Sequence, residues 1–361
     1  MNEENNQNEW AEPPLEDDDF DFVEHYGAEI ETKSDDQLPD NTAKSALNCA
    51  FVGLGGGGGK MAKAFLDLGF NKTVLVNTTD KDQPEGMDPK HLVLIPDADG
   101  VGKDVELGKA ILKDNGAVVE DALKNKLGNI DWLFVLASGG GGTGSACVAL
   151  HGVFDRYLKS VQAKGSIVYI VSRPSAQELL NNTIAKNADA LANDVAEHTH
   201  IMLDNERQLE LLRGKVGMLG MYPTANKTFA KLLWQILKLA SEQSSVQTFD
   251  SKDLENCLRI NKRIFVGTTV IADPKIPNLG ATIYQNCSKR SPCPVPRGKG
   301  KAGAMLLVAT PDMANDPEIS KHLDAAISYV GGRTSTLFSG VYVRNKLPGL
   351  IAILMTSGLE N

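Results

Sequence analysis

The sequence predicts an α/β protein in which a parallel-sheet domain is followed by a long central helix and a smaller α+β C-terminal domain. Three observations carry that prediction. Short apolar runs alternate with helix-period segments from about residue 48 to residue 206, the pattern of strands covered on both faces by crossover helices. Two glycine clusters, "GLGGGGGK" at 53–60 and "GGGGTGS" at 139–145, each follow an apolar run. That places them at the carboxyl ends of strands, where open parallel sheets bind ligands. A segment of Leu and Phe at helical spacing then separates this half from a second set of strands.

The elements follow in order. "NCAFVGL" is a continuous apolar strand, and Met61, Phe65 and Leu68 share one face of the helix after it. "KTVLVNTTD", "HLVLIP", "DWLFVLAS", "GSIVYIVSRP" and "HIMLDNE" supply five more strands, the second of these leading into the loop "DADGVGKDVELG" and a helix. From Pro223 to Ser241, Phe229, Leu232, Leu233, Ile236, Leu237 and Ala240 keep the i, i+3, i+4, i+7 rule. Such a helix runs about 28 Å at 1.5 Å per residue and acts as a strut. Beyond Lys262 come strands in "RIFVGTTVIA", "AGAMLLVATP", "TLFSGVYVR" and "GLIAILMTSG", with a helix in "PEISKHLDAAISYVGG". The basic, Pro- and Gly-rich stretch "NCSKRSPCPVPRGKGKAG" reads as an exposed loop.

Composition narrows the class. At 361 residues, 42% apolar and 23% charged, the chain is an ordinary two-domain globular protein. It has no apolar run of the roughly 18–20 residues that a membrane span needs, and its polar start does not resemble a signal peptide. Cys49, Cys147, Cys257, Cys287 and Cys293 lack metal-type spacing and read as free thiols of a cytoplasmic protein. The net charge of −9 is unevenly spread: residues 1–46 hold 15 acids against Lys33 and Lys44. The stretch "PPLEDDDFDFVEHY" has two prolines, a block of acids and a few aromatics, so residues 1–46 read as a disordered acidic arm, with Phe20, Phe22 and Tyr26 as candidate anchors for an adaptor protein. With negative net charge, direct DNA binding is not expected.

Neither common nucleotide motif holds. Gly53 to Gly58 fits G-x-G-x-x-G, but Asn77-Thr78-Thr79 stands where a dinucleotide fold wants a ribose-binding acid. The G-x-x-x-x-G-K-[ST] phosphate loop fails at Leu54 and Met61. What remains is a pair of glycine loops at the ends of two strands of one sheet. Consecutive backbone amides at helix N-termini attract anions, so two facing loops suit a di- or triphosphate. Gly55, Gly56 and Gly57 belong to the first loop, and Gly140, Gly141, Gly142 and Gly144 to the second. Thr143 and Ser145 add hydroxyl donors.

With these residues in place, the chain from about 48 to 359 resembles the tubulin/FtsZ superfamily of GTP-dependent filament proteins. Gly140-Gly141-Gly142-Thr143-Gly144-Ser145 is similar to the family's signature phosphate loop, and "VGLGGGGGKMAKA" to the first nucleotide loop of FtsZ. "NTTDKD" and "IPDADGVGKD" look most like phage and plasmid tubulins of the TubZ type, adding Asn77 and Gly102 to the nucleotide set. The resemblance implies Glu178 of "VSRPSAQE" on the ribose, Asn205 of "MLDNERQ" on guanine, and Tyr222 and Asn226 stacking on and hydrogen-bonding the base. It implies GTP/GDP with Mg²⁺ as cofactors, without a dedicated set of protein metal ligands. The loop "QTFDSKDLEN" matches the one that carries an acidic pair into the next subunit's site, which makes Asp250 and Asp253 the catalytic residues.

Four positions depart from the family pattern. Lys60 replaces an asparagine and suits phosphate neutralisation, a role Lys103 shares. Ala146 replaces a glycine, Asn182 a phosphate-binding arginine, and Thr248 the first residue of the catalytic loop. The expected layout is a GTP-binding domain at 47–222, the central helix at 223–246, the catalytic loop and following helix at 247–261, and the α+β domain at 262–361. The expected function is a GTPase of a bacterial or phage-infected cytoplasm that polymerises head to tail and positions DNA, plasmid or phage cargo, or acts in division. The alternative is a GTP-binding regulator that does not polymerise. Asp250 and Asp253 also have a simpler reading, as N-terminal caps of the next helix.

Overall fold

Successive side chains on a strand point to opposite faces of its sheet. In β1 (Cys49–Leu54), Cys49 and Phe51 accordingly enter one hydrophobic core and Ala50, Val52 and Leu54 another. The computed structural model describes residues 36–360. After β1 come α1 (Gly55–Leu66), β2 (Thr73–Asn77), β3 (Leu92–Leu94), α2 (Val105–Asp114), α3 (Gly116–Leu127) and β4 (Trp132–Ser138). Next are α4 (Gly142–Ser145), α5 (His151–Ser160), β5 (Ile167–Arg173), α6 (Asn182–Val195), β6 (Thr199–Asp204), α7 (Asn205–Leu212) and α8 (Met221–Leu239). The chain continues with α9 (Ser251–Leu258), β7 (Lys262–Ile271), α10 (Leu279–Arg290) and β8 (Gly300–Ala309). It closes with α11 (Pro311–Asn315), α12 (Pro317–Gly331), β9 (Thr334–Val343) and β10 (Leu350–Leu359).

The strands form one ten-stranded sheet in the order β3-β2-β1-β4-β5-β6-β7-β10-β8-β9. It is mostly parallel, with β10 antiparallel to both neighbours, β7 and β8. The sheet continues from the first half into the second through Thr199↔Lys262, His200↔Arg263 and Ile201↔Ile264. Strand order reverses at β1, which is flanked by β2 and β4, so the crevice at the carboxyl ends of β1 and β4 is the topological place for a ligand. Both glycine clusters fall there.

Each face of the sheet carries its own core. Met61 and Phe65 of α1, Phe229 and Ile236 of α8, Leu254 of α9, Ile283 of α10 and Ala326 of α12 pack on one face. Leu112 of α2, Leu123 of α3, Phe154 of α5 and Leu191 of α6 pack on the other. The rings of Phe51, Phe65, Phe70 and Phe134 cluster beneath α1, with Phe51 stacked on Phe65 at 4.2 Å between centroids. The central helix, expected from Pro223 to Ser241, begins and ends two residues earlier, as Met221–Leu239.

Two sequence expectations change. The arm expected to reach residue 46 gives way sooner, because residues 36–46 pack on the body. Leu38 is 1% exposed, and its amide donates to the Lys126 carbonyl. The amides of Thr42 and Ala43 donate to the Gly69 carbonyl, and that of Ala46 to Leu237. Such isolated anchors, spaced by polar residues, leave no periodic signal. Residues 1–35, with Phe20, Phe22 and Tyr26, lie outside the described residues.

The stretch around 289–301 is also more than an exposed loop. Lys289 and Arg290 finish α10, Ser291 and Cys293 are fully buried, and Lys301 lies in β8. Its helix went unread because Leu279, Ile283 and Cys287 are a narrow i, i+4, i+8 stripe among polar residues. All five cysteines are free and buried, and burial pushes the Cys49, Cys147 and Cys257 thiols up to about 12. No helix among the described residues is long and apolar enough to cross a membrane.

Candidate nucleotide-binding site

The turns after β1, β2, β3 and β4 enclose a cleft of about 300 Å³. Gly55, Gly56 and Gly57 open α1 on one side, and Gly141, Gly142, Thr143 and Gly144 form the other. Asn77, Thr78, Thr79, Lys81 and Asp82 enter from the end of β2, and Asp99 to Gly102 from the loop after β3. Thr78 and Thr143 join hydroxyl to hydroxyl at 2.9 Å, and the Gly142 amide donates to the Gly102 carbonyl. The loops are thus tied to one another before any ligand enters.

The glycines divide by what surrounds them. A Cβ on Gly144 would stand 2.7 Å from the Ser138 carbonyl oxygen, and one on Gly142 2.7 Å from that of Asp104. One on Gly139 would meet Ala188 Cα at 2.9 Å. These three are glycine because the protein's own backbone comes close. Gly140 has only Pro174 at 3.8 Å, and Gly141 has nothing within 4 Å. The expectation that the whole run makes room for a ligand therefore narrows to Gly140 and Gly141, and of these Gly141 lines the cleft.

Several predicted residues stand outside that lining. Lys60 is exposed further along α1, and Ser145 is fully buried with its hydroxyl toward the Ser138 carbonyl at 3.5 Å. Lys81 is the basic side chain in the lining, where the sequence pointed to Lys60 or Lys103. Thr78, Lys81, Asp82 and Asp99 were missed as individuals, although the loops "NTTDKD" and "PDADG" that carry them follow strands β2 and β3.

A second group gathers at the start of α8. Tyr222 donates its hydroxyl to Glu178 Oε2 at 3.0 Å, and that carboxylate also accepts from the Ser175 amide and hydroxyl. Burial, with the Glu178 carboxylate adding, pushes the Tyr222 phenol up to about 12. Asn205 opens α7, which packs on α8, while its neighbours are committed elsewhere. Asp204 caps α7 by accepting from the Glu206 and Arg207 amides, and Glu206 accepts from Ala176. Among the described residues the Asn205 side chain has no hydrogen-bond partner, although the residue is only 9% exposed. Asn226 sits one turn into α8, half-buried. Glu178 follows β5, so this group shares the sheet edge that carries the cleft.

Asp250 and Asp253 lie elsewhere. They form a capping box on α9: Asp250 Oδ1 accepts from the Lys252 and Asp253 amides, and the Asp253 carboxylate accepts from the Asp250 amide. Burial raises the pKa of Asp253, with the Asp250 charge adding to it. The loop before them is pinned, since the Tyr342 hydroxyl lies 2.9 Å from both the Leu239 and Phe249 carbonyl oxygens. Asp250 therefore sits beside the C-terminal end of α8, whose 19 residues span about 28 Å from the end that holds Tyr222. The capping reading is realised, and neither acid is among the residues that line this chain's own cleft.

No protein-family model matches the chain. The tubulin-like protein CetZ of Methanothrix thermoacetophila is 25% identical over 312 residues, 82% of this chain and 80% of that protein. Among solved structures, a GTPγS-form protofilament of TubZ from Bacillus thuringiensis serovar israelensis matches with a TM-score of 0.73 at 14% identity, covering 89% of this chain and 91% of that one. CetZ2 from Haloferax volcanii, a GTPγS-bound protofilament, matches with a TM-score of 0.71 at 21% identity over 87% and 94%. The fold is that of the tubulin/FtsZ superfamily. TubZ, the type to which the loop motifs pointed, is among its structural neighbours, together with CetZ and FtsZ.

Proposed function

We propose that the chain is a GTPase that assembles head to tail into filaments, each subunit completing the hydrolytic site of the next. The observation that carries this reading is the separation just described: a phosphate-sized cleft on one edge of the sheet, and an acidic pair outside its lining, at the end of α8 opposite Tyr222. A carboxylate pair placed there acts on nucleotide only through a neighbouring copy. Such a contact is heterologous and non-closing, which generates filaments. The protofilament states in which the TubZ and CetZ2 neighbours were solved support the same reading.

In this reading Gly55–Gly57 and Gly141–Gly144 hold the phosphates through backbone amides, and Lys81 adds positive charge. Asn205, Tyr222, Asn226 and Glu178 hold base and ribose. The hard oxygen donors of Asp82 and Asp99 at the cleft fit Mg²⁺, which would offset phosphate charge. Asp250 and Asp253 of the adjacent subunit orient the attacking water and accept its proton. We place the protein in the cytoplasm, moving or scaffolding DNA, plasmid or phage cargo, or serving division, with the acidic N-terminal segment docking an adaptor.

Phosphate release from GTP, measured against protein concentration with light scattering on the same samples, tests the reading. Release and scattering should rise together above a threshold concentration. Release proportional to protein with no scattering would place a complete site in each monomer and overturn it.

A further inference from the structure

A second cavity is larger than the cleft between the glycine loops. A pocket of about 530 Å³ opens between α6, the carboxyl ends of β5 and β6, and the segment after α10. Ala188, Leu191, Met202, Pro294 and Val295 give it apolar walls. Arg173, Arg207, Arg263 and Arg297 surround it, against the carboxylates of Asp189 and Asp204. None of the four guanidiniums forms an ion pair with a carboxylate among the described residues.

Arg263 is the informative member. It is 5% exposed, yet its hydrogen bonds go to two neutral acceptors, the Pro294 and Glu360 carbonyl oxygens. A buried charge normally has a counter-charge, because desolvation is otherwise uncompensated. Burial above all, with the like charge of Arg297 adding, lowers the pKa of Arg263. Asp204 forms no ion pair with it; its Oδ1 instead caps α7. Arg207 likewise spends its guanidinium on the Ser288 and Ser291 carbonyl oxygens and fixes the pocket wall. Arg173 and Arg297 are exposed, and no protein acceptor holds either among the described residues. Among the described residues the pocket therefore offers two guanidiniums without an acceptor, a buried one without a paired carboxylate, and apolar walls of ligand size.

We infer that this pocket is a binding site for a small amphipathic organic anion, with its carboxylate, phosphate or sulfonate on Arg263, Arg297 and Arg173 and its apolar body against Leu191, Met202 and Val295. Both halves of the chemistry are required. A bare anion leaves the walls wet, and a neutral apolar molecule leaves Arg263 uncompensated. The inference is independent of the nucleotide reading, because the two cavities share no lining residue.

The test uses the full chain and 1-anilinonaphthalene-8-sulfonate, a fluorescent apolar sulfonate. Saturable binding near one probe per chain is expected. Arg297→Ala should weaken it at least about tenfold, and Arg297→Glu further, as for loss of a charge-assisted contact. Arg297 is exposed in a loop, so these variants keep the fold. Gly141→Asp, which puts a carboxylate in the phosphate cleft, should leave probe binding unchanged. Inorganic pyrophosphate should compete poorly. Probe binding that does not saturate, that ignores both Arg297 variants, or that disappears with Gly141→Asp would overturn the assignment. Strong competition by pyrophosphate would overturn the requirement for an apolar body.

Discussion

Gly58 and Gly141 are chemically the same residue with opposite reasons to be there. A Cβ on Gly58 would press into the Leu136 carbonyl of β4, whereas one on Gly141 meets nothing within 4 Å. Gly141 also has φ −108, which any residue adopts. Gly58→Ala should therefore destabilise the protein by about 1–3 kcal/mol, the usual range for forcing atoms into a packed interior. Gly141→Ala should stay within about 0.5 kcal/mol of wild type, as a surface change does. Nucleotide affinity should fall for Gly141→Ala all the same, because in the proposed site the added methyl would stand where phosphate approaches. Thermal unfolding together with GTPγS titration checks both halves. If Gly141→Ala binds like wild type, the cradle is not where the cleft geometry puts it. The glycine run itself was plain in the sequence. Which glycines serve packing and which serve a ligand depends on contacts with Asp104, Ala188 and Ser138, and no local pattern encodes those contacts.

At the scale of the element, α9 raises a question that geometry alone leaves double. Asp250 caps the helix by accepting from two amides, and it is also the acid expected to act on a neighbour's water. The two roles separate chemically. Asparagine caps nearly as well as aspartate, while alanine does not cap and costs about 0.5–2 kcal/mol. Asparagine cannot accept the water's proton. Asp250→Asn should keep thermal stability and filament formation while lowering phosphate release by about 10²–10⁴-fold, the usual share of a general base. Asp250→Ala should lose both. Undiminished release from a stable Asp250→Asn filament would leave the helix cap as the residue's whole job. Elements read well from sequence where one period ran long, as in β1, β4 and α8. They read poorly where the apolar stripe was thin, as in α10, or where order rests on a few long-range backbone bonds, as at Leu38 and Ala46.

For the whole molecule, the central fact is polarity. The parallel strands put both glycine clusters on one edge of the sheet, and α8 carries the chain away from that edge to the loop that Tyr342 pins. The loop motifs and the helix length were legible because each is local. The pinning was not, since Tyr342 lies 93 residues from Phe249 in sequence. Polarity of this kind predicts complementation between two inactive chains. Gly141→Asp keeps the acidic pair and blocks the cleft, whereas Asp250→Asn keeps the cleft and lacks the acid. In a random head-to-tail polymer of equal parts, half of the subunits have a working cleft and half of those face an intact Asp250. The mixture should thus recover about a quarter of wild-type phosphate release, although each chain alone is silent. Co-pelleting of a labelled Gly141→Asp chain establishes that it has entered the polymer. If both variants pellet together and release stays at the sum of the separate samples, the acids do not act across a subunit contact. The separation of Asp250 from the cleft would then have to be explained by something other than assembly.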